Sequence, residues 1–241
     1  MRFDILTLFP EMIEGMIKDS ILKRAIEKGI IEVNIINFRD FSTNKHHTVD
    51  DYAYGGGAGM LISVEPIHLA MQTIEGIDKA KVVLTSPSGN VWSQEKASEY
   101  SHLDHIVIIC GHYEGIDNRI LKYVDEEVSI GDYVLTGGEI AATVLIDSIS
   151  RLVKGVISDD SIVNESHQDY LLEYPQYTRP LEYDGEKVPE VLYSGHHANI
   201  KKYQRYEALK KTYHVRPDLL AKATLTKEDL KMLEEIKNEK N

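Results

Sequence analysis

Short apolar runs alternate with stretches of helical periodicity along the first two thirds of the chain. Residues 2–8 form an apolar run that is typical of a buried strand. After Pro10, apolar residues recur every four positions and predict one amphipathic helix that ends at Gly29. The recurring positions are Ile13, Ile17, Ile21 and Ala25. Residues 30–37 then predict a second strand.

The same alternation continues to about residue 157. Three further apolar runs predict strands, and three helical stretches lie among them. The strands are expected at 81–85, 105–110 and 127–130, and the helices at 63–73, after the capping residue Ser93, and at 139–152. Strands that alternate with helices favour an α/β domain with a mainly parallel sheet. Residues 38–60 are predicted to form one long loop.

The pattern changes after residue 157. Residues 158–174 are polar and lack periodicity, which predicts a flexible interdomain linker. Residues 175–241 contain a helical stretch from about 198 to 213 and a final helix capped by Thr226, with Asp229 three residues on. We therefore predict an α/β domain over 1–157, a linker over 158–174 and a small C-terminal helical domain over 175–241.

The distribution of charge adds one local feature to this prediction. The formal net charge of −12 argues against a general nucleic-acid-binding protein, which usually has a basic footprint. Between residues 195 and 216, however, the only acid is Glu207, against six basic residues. These are Lys201, Lys202, Arg205, Lys210, Lys211 and Arg216. A small basic face on an acidic body suits a selective RNA contact, and a solvated helix face has the same composition.

Hydropathy and cysteine content exclude several classes of protein. No apolar run approaches the ~20 residues that a membrane span requires. Asp4 and Pro10 interrupt the N-terminal run where a signal peptide needs apolar residues. We therefore expect a cytoplasmic protein with no membrane contact. The one cysteine, Cys110, excludes an internal disulfide and a cysteine-based metal site, and at the end of an apolar strand it is expected in the core.

Two polar segments rich in glycine follow the fourth and fifth predicted strands. They are Cys110-Gly111-His112-Tyr113-Glu114-Gly115-Ile116-Asp117 and Ser129-Ile130-Gly131-Asp132-Tyr133-Val134-Leu135-Thr136-Gly137-Gly138-Glu139. Glycine permits positive φ and close backbone approach, and ligands bind at strand ends in open α/β sheets. The segments therefore predict a ligand site, although tight turns alone would also explain them.

The other glycine and histidine patterns do not match known nucleotide-binding or metal-binding motifs. The third glycine-rich segment, residues 54–60, lacks the Gly-Lys-Ser/Thr ending of a phosphate loop. It also lacks the glycine spacing and the position of a dinucleotide-binding turn. The histidine pairs at 46–47 and 196–197 have no cysteine or acidic cluster beside them, so no metal site is predicted.

Five segments together resemble the bacterial tRNA (guanine-N1)-methyltransferase family, in the same order over essentially the whole chain. Besides Tyr113 to Asp117 and Ser129 to Leu135, they are Tyr54-Gly55-Gly56-Gly57-x-Gly59-Met60, Leu145-Ile146-Asp147-Ser148 and Pro175-x-Tyr177-Thr178-Arg179-Pro180. The resemblance implies an α/β fold with the trefoil knot of the SPOUT superfamily, a rare exception to the rule against threaded chains. It also implies S-adenosylmethionine as methyl donor, a homodimer with sites between subunits, and the guanine 3′ of the anticodon (position 37) in tRNA as substrate. A related knotted enzyme acting on ribosomal RNA, and a non-catalytic cofactor- or RNA-binding protein, are the alternatives.

The resemblance also implies roles for individual residues. The cofactor would contact Thr85, Ser86, Pro87, Gly111, Tyr113, Glu114, Gly115, Ile130, Gly131, Asp132, Tyr133, Val134, Leu135, Gly137 and Gly138. The tRNA substrate would contact Gly55, Gly59, Asp50, Lys201, Arg205 and His197. Several positions depart from the family pattern, which affects the expected tRNA contacts more than the fold. They are His112, Ala53, His196 and Tyr203-Gln204.

The chemistry of guanine indicates which side chains the reaction needs. N1 must lose a proton before it becomes a good nucleophile, and a carboxylate general base typically contributes ~10²–10⁴-fold. Where the family has Asp-Ser in the linker, this chain has Glu165-Ser166, so Glu165 is the expected base and Asp169 the competing candidate. The resemblance implies that Arg151 stabilises charge on O6, with a metal ion such as Mg²⁺ as the alternative cation. Arg151 would otherwise be a helix-end cation, and Glu114 would otherwise pair with Arg119.

Overall fold

Five parallel strands form the sheet of the first part of the protein. The computed structural model describes residues 1–57, 59–158, 166–167 and 169–238. In chain order the strands are β1 (Arg2–Thr7), β2 (Glu32–Asn37), β3 (Asp50–Tyr52), β4 (Met60–Ile62), β5 (Lys81–Val91), β6 (His105–Cys110), β7 (Glu126–Ser129), β8 (Glu182–Tyr183) and β9 (Glu186–Lys187). The sheet order is β2-β1-β6-β5-β7, and every neighbouring pair is parallel. The predicted α/β class with a mainly parallel sheet is confirmed.

The helices of the described residues follow the predicted alternation with one exception. They are α1 (Pro10–Ile17), α2 (Ser20–Glu27), α3 (Val64–Gln72), α4 (Gln94–Tyr100), α5 (Glu139–Ser150), α6 (His197–Val215), α7 (Pro217–Leu220) and α8 (Lys227–Asn238). The prediction of one helix from Pro10 to Gly29 is wrong. The carboxylate of Asp19 accepts a hydrogen bond from the backbone N of Ser20 at 2.6 Å and caps a second helix. Asp favours such N-cap positions, so the helix restarts although the apolar period continues.

Side chains of the central strands alternate between two hydrophobic clusters, one on each face of the sheet. In β1, Phe3 and Ile5 belong to one cluster and Leu6 belongs to the other. In β6, Ile106, Ile108 and Cys110 join the first cluster, whereas Val107 and Ile109 join the second. A parallel sheet that is covered on both faces requires continuous apolar strands, which explains why the runs in the sequence do not alternate with polar residues.

The long loop predicted over 38–60 contains regular structure. A 3₁₀ turn spans Phe38–Phe41, and β3 and β4 form a small antiparallel hairpin. β4 is also hydrogen-bonded to the segment after β6. Ile62 N donates to Gly115 O at 2.9 Å, and Asp117 N donates to Ile62 O at 2.9 Å. The hairpin was missed because its strands are only three residues long and its first strand is polar.

Two compact units divide the chain, Met1–Asp159 and Asp160–Asn241. The second unit contains the β8–β9 hairpin, a 3₁₀ turn over Glu190–Tyr193 and helices α6 to α8. Its core consists of Leu171, Leu209, Met232, Leu233 and Ile236. The predicted cap of the last helix is confirmed, since Thr226 Oγ1 accepts from Asp229 N at 3.1 Å and Asp229 Oδ2 accepts from Thr226 N at 2.8 Å.

None of the helices in the described part of the chain is long and apolar enough to cross a membrane.

Candidate active site

The C-terminal ends of β5, β6 and β7 meet at one edge of the sheet. β5 leaves the ladder there: Thr85 and Asn90 both pair with Val128 of β7, so residues 86–89 form an excursion between them. A Cβ atom on Gly89 would overlap with the backbone of Glu127 and Val128. Only glycine therefore lets the excursion return so close to β7.

A second close approach joins the segment after β6 to the start of α5. Gly138 N donates a hydrogen bond to Gly111 O at 2.8 Å. A Cβ on Gly138 would overlap with Thr85 Oγ1 and would lie 2.9 Å from Gly111 N. Three segments distant in sequence are thus held together at backbone distance, in the place where ligands bind in open α/β sheets.

A pocket of about 380 Å³ lies between these segments. Its lining includes all the predicted cofactor-binding residues except Asp132, which is exposed and does not line the pocket. The structure therefore brings together Thr85, Ser86, Pro87, Gly111, Tyr113, Glu114, Gly115, Ile130, Gly131, Tyr133, Val134, Leu135, Gly137 and Gly138. A volume of this size is typical of small-molecule sites, which range from about 300 to 1,000 Å³.

Sequence reasoning missed several apolar residues of the pocket. Leu84, Ile116, Ile120, Leu121 and Ala141 contribute to its walls. Buried apolar residues of strands and helices have the same sequence pattern whether they line a pocket or fill a core. The sequence therefore contains no signal that distinguishes the two positions. Cys110 lies beside the site but is 1% exposed, and burial raises the pKa of its thiol well above the ordinary value, as expected for an inert core residue.

A buried polar cluster supports the rim of the pocket. Glu139, the first residue of α5, is 1% exposed, and its Oε1 accepts a hydrogen bond from Thr7 Oγ1 at 2.8 Å. Its Oε2 and Nδ1 of His112 are buried and have no hydrogen-bond partner within the described residues. A carboxylate in the first turn of a helix is favoured by the helix dipole. The ring of His112 packs against Phe9, with centroids 4.6 Å apart.

The β3–β4 hairpin lies beside Glu114. A Cβ on Gly59 would overlap with the Glu114 side chain, and Glu114 N donates to Met60 O at 3.2 Å. Asp50 is half-buried in β3 and is paired with Ile62 of β4. Gly55 has a φ of 89° and open space around it. The predicted substrate residues Asp50 and Gly59 are thus positioned next to one wall of the pocket.

Arg119 pairs with Asp117 and not with Glu114. Arg119 Nε donates to Asp117 Oδ1 at 2.9 Å, and these hydrogen bonds lower the pKa of Asp117 to about 2. The alternative ion pair between Glu114 and Arg119 is therefore wrong. Glu114 remains exposed at the mouth of the pocket.

Of the two predicted catalytic residues, Arg151 does not line this pocket, and Glu165 is not among the residues that the structure describes. Arg151 is half-buried and follows the last turn of α5, whereas the pocket is at the first turn of the same helix. Twelve helical residues separate the two places, which corresponds to roughly 18 Å along the axis. Asp169 is exposed in the second unit, where its charge contributes to the raised pKa of Arg205.

The predicted tRNA-binding residues of α6 differ from one another. His197 and Lys201 are exposed. Arg205 instead forms a two-pronged ion pair with Asp229, at 2.8 Å from Nε to Oδ1 and 2.9 Å from Nη2 to Oδ2. Asp229 is 2% exposed, so this pair holds α6 to α8. Arg205 has a structural role that the sequence did not indicate.

The described residues contain no group of three or more His, Cys, Asp or Glu side chains arranged to hold a metal ion.

Comparisons with known proteins agree with the motifs. The family model described as tRNA (Guanine-1)-methyltransferase TrmD matches residues 1–222. Proteins named tRNA (guanine-N(1)-)-methyltransferase are similar over nearly the whole chain. The protein from Dictyoglomus turgidum is 52% identical over 240 residues, which cover 99% of this chain and 98% of that protein. The protein from Treponema denticola is 51% identical, covering 99% and 100%, and the one from Clostridium perfringens is 53% identical, covering 97% and 99%. The chain therefore belongs to the tRNA (guanine-1)-methyltransferase TrmD family.

Proposed function

We propose that this protein uses S-adenosylmethionine to methylate N1 of the guanine immediately 3′ of the anticodon, position 37, in tRNA. The observation that carries the proposal is the pocket at the sheet edge, because two of the five segments that resemble the family, Tyr113 to Asp117 and Ser129 to Leu135, contribute to its lining. Family membership and the names of the relatives support the reaction and the tRNA substrate.

The pocket suits a donor that combines an aromatic base with a charged amino-acid end. Leu84, Ile116 and Leu135 give it apolar walls, and its turns expose backbone groups that can bind polar edges. Gly137 has no room for a Cβ, which would overlap with Glu139 and lie within 2.8 Å of His112 Nε2. When bound there, S-adenosylmethionine would supply an electrophilic methyl group, and the pocket residues would orient it.

A carboxylate of the linker is proposed to remove the N1 proton. Glu165 is the candidate by its position before Ser166, and its longer side chain would place the carboxylate one methylene further from the backbone than aspartate. Asp169 is the competing base. Misplacement of ~1 Å can cost ~10²-fold in rate, so the linker must compensate for the extra methylene.

Charge that develops on guanine O6 requires a cation, and Arg151 is the proposed one. In one chain Arg151 is roughly 18 Å from the pocket along α5. A homodimer with its sites between subunits would resolve this separation, because the arginine of one subunit would then serve the pocket of the other. Mg²⁺ is the alternative cation, and exposed Glu114, which lines the pocket, is a candidate to hold it.

The remaining features of the proposal concern the organisation of the protein. We propose that the chain over 1–157 forms a SPOUT trefoil knot that binds the methyl donor, that 158–174 is the interdomain linker, and that 175–241 binds tRNA. His197 and Lys201 would contact the tRNA, with Asp50, Gly55 and Gly59 beside the target guanine. Such an enzyme would work in the cytoplasm, where its substrate is found.

Methyl transfer to unmodified tRNA, with mapping of the modified atom, tests the proposal. We expect incorporation at N1 of guanine 37, and incorporation elsewhere or none would contradict it.

The base is identified by comparing Glu165→Gln with Asp169→Asn at saturating donor. We expect the first variant to lose ~10²–10⁴-fold in turnover and the second to retain it. The reverse result would assign the base to Asp169.

A further inference from the structure

An open cleft lies in the second unit, away from the pocket described above. One wall is the segment that continues from Tyr177 to Leu181, and the other is the 3₁₀ turn Glu190–Tyr193. Its lining is largely aromatic and aliphatic, with a single arginine: Tyr177, Thr178, Arg179, Pro180, Leu181, Val188, Leu192 and Tyr193. Tyr177 is 48% exposed and Tyr193 54% exposed, so the two rings present large apolar surfaces to solvent.

The cleft is built from fixed parts. Val188 N donates to Leu181 O at 3.0 Å, which joins the two ends of the β8–β9 hairpin beside it. The hydroxyl of Tyr177 is hydrogen-bonded to that of Tyr203 on α6. Burial raises the pKa of Tyr203 to about 12, and the charge of Glu207 and this hydrogen bond add to the effect. The ring of Tyr177 is therefore held against a helix although half of it is exposed.

Charge around the cleft is uneven. Arg179 is exposed and makes no ion pair within the described residues. The hairpin on one side carries acids, and its Lys187 is already paired with Glu182 at 3.6 Å. Exposed Lys201 and Lys202 lie on α6 just before Tyr203, which contacts Tyr177 of the cleft. A polyanion that enters the cleft would therefore run from Arg179 towards α6 and away from the hairpin.

We propose that this cleft binds an unstacked nucleobase of the tRNA, stacked on Tyr193 and Tyr177, with Arg179 on an adjacent phosphate. This rests on the proposed function, which supplies the tRNA, and names a contact within it. RNA-binding proteins recognise splayed bases by stacking on aromatic rings and bind phosphates through arginine. A second copy of the chain would fit less well, because its apolar contact would bury the guanidinium of Arg179 without a partner.

Tyr193→Ala tests the stacking contact, and Tyr183→Ala is its matched control. Tyr183 is a tyrosine of the neighbouring hairpin, is 77% exposed and does not line the cleft. Affinity for unmodified tRNA is measured at one fixed salt concentration, with thermal unfolding as a check of the fold. We expect Tyr193→Ala to bind roughly 10-fold more weakly, as loss of one stacked base predicts, and Tyr193→Phe to bind like the wild type. Tyr183→Ala should remain within about twofold of the wild type.

Arg179→Ala gives an independent readout that does not depend on the tyrosine variants. The slope of log Kd against log salt should fall by about one for Arg179→Ala and stay unchanged for Tyr193→Ala. Equal binding by wild type and Tyr193→Ala, or an unchanged slope for Arg179→Ala, would overturn the inference. So would a shift in oligomeric state caused by Tyr193→Ala in sedimentation, which would assign the cleft to a second copy. In each case methyl transfer by the wild type would show that the proposed function itself still holds.

Discussion

The two units expose different kinds of surface to a ligand. In Met1–Asp159 the pocket is formed where backbone segments touch, at positions such as Gly137 and Gly138 that leave no space for a side chain. In Asp160–Asn241 the cleft is formed by half-exposed rings and one arginine. Rigid backbone walls suit one small molecule of fixed shape, whereas exposed side chains suit a polymer that must adapt as it binds.

The second unit depends on a charged pair for its fold, and in the proposed function it also uses charged side chains to bind tRNA. Arg205 and Lys201 are one turn apart on α6, yet Arg205 is tied to buried Asp229 and Lys201 is exposed. In the first unit the clusters on both faces of the sheet are apolar, and the charged side chains of Asp4 and Glu139 are buried beside them. Four substitutions measure how far this contrast extends.

Arg205→Ala should produce the largest effect. It leaves the carboxylate of Asp229 buried without its cation, and loss of one partner of a buried pair costs about 3 kcal/mol or more. Native-state hydrogen exchange of amides in Lys227–Asn238 measures the loss. Lys201→Ala, on the same helix, should leave these amides as protected as in the wild type. Equal protection in both variants would show that the ion pair does not hold the second unit together.

Gly138→Ala should produce the second largest effect, and this effect should fall on ligand binding in the pocket. The added methyl overlaps with Thr85 Oγ1, and overpacking of this kind costs about 2 kcal/mol. Isothermal titration with S-adenosylmethionine should show affinity that is lower by roughly 30-fold. Gly15→Ala is the control, because Gly15 lies in α1 with open space around it, and there alanine should stabilise the protein by up to about 1 kcal/mol. Unchanged donor affinity in Gly138→Ala would contradict the importance of backbone contact at the pocket.

Acid should weaken the second unit through Asp229. Hydrogen bonds from Arg205 lower the pKa of this carboxyl to about 2, below its ordinary value, so its stabilising effect is complete above about pH 4 and is lost as pH falls towards 2. The contribution is about 2 kcal/mol. Stability measured from pH 5 to pH 2 should therefore decline less in Asp229→Asn than in the wild type. Asp184→Asn, which changes an exposed carboxylate between β8 and β9, should follow the wild-type curve.

Lys201→Ala should have the smallest effect, and only on tRNA. Removal of one phosphate contact should weaken binding several-fold and lower the salt slope by about one. Lys231→Ala on α8 changes an exposed lysine of another helix and should leave the slope unaltered. If both variants behave alike, the basic face of α6 is a solvated surface and does not bind tRNA.

The sheet and the pocket could be predicted because each depends on local sequence. Continuous apolar strands such as β6 must be buried on both faces, and glycines at strand ends mark close approaches. The break between α1 and α2 was missed because the isoleucine period continues through Asp19. The Arg205–Asp229 pair could not be predicted, because its partners are 24 residues apart and each would suit a surface equally well.

The main-chain wall of the pocket also bears on inhibition. Gly111, Gly137 and Gly138 line the pocket with main-chain amides and carbonyls alone, and a replacement at Gly137 or Gly138 collides with Glu139, His112 or Thr85. A compound designed to bind those amides and carbonyls would contact atoms that every amino acid shares. Point mutations at Gly137 or Gly138 would disrupt the pocket itself before they displaced such a compound, so resistance would have few routes through this wall.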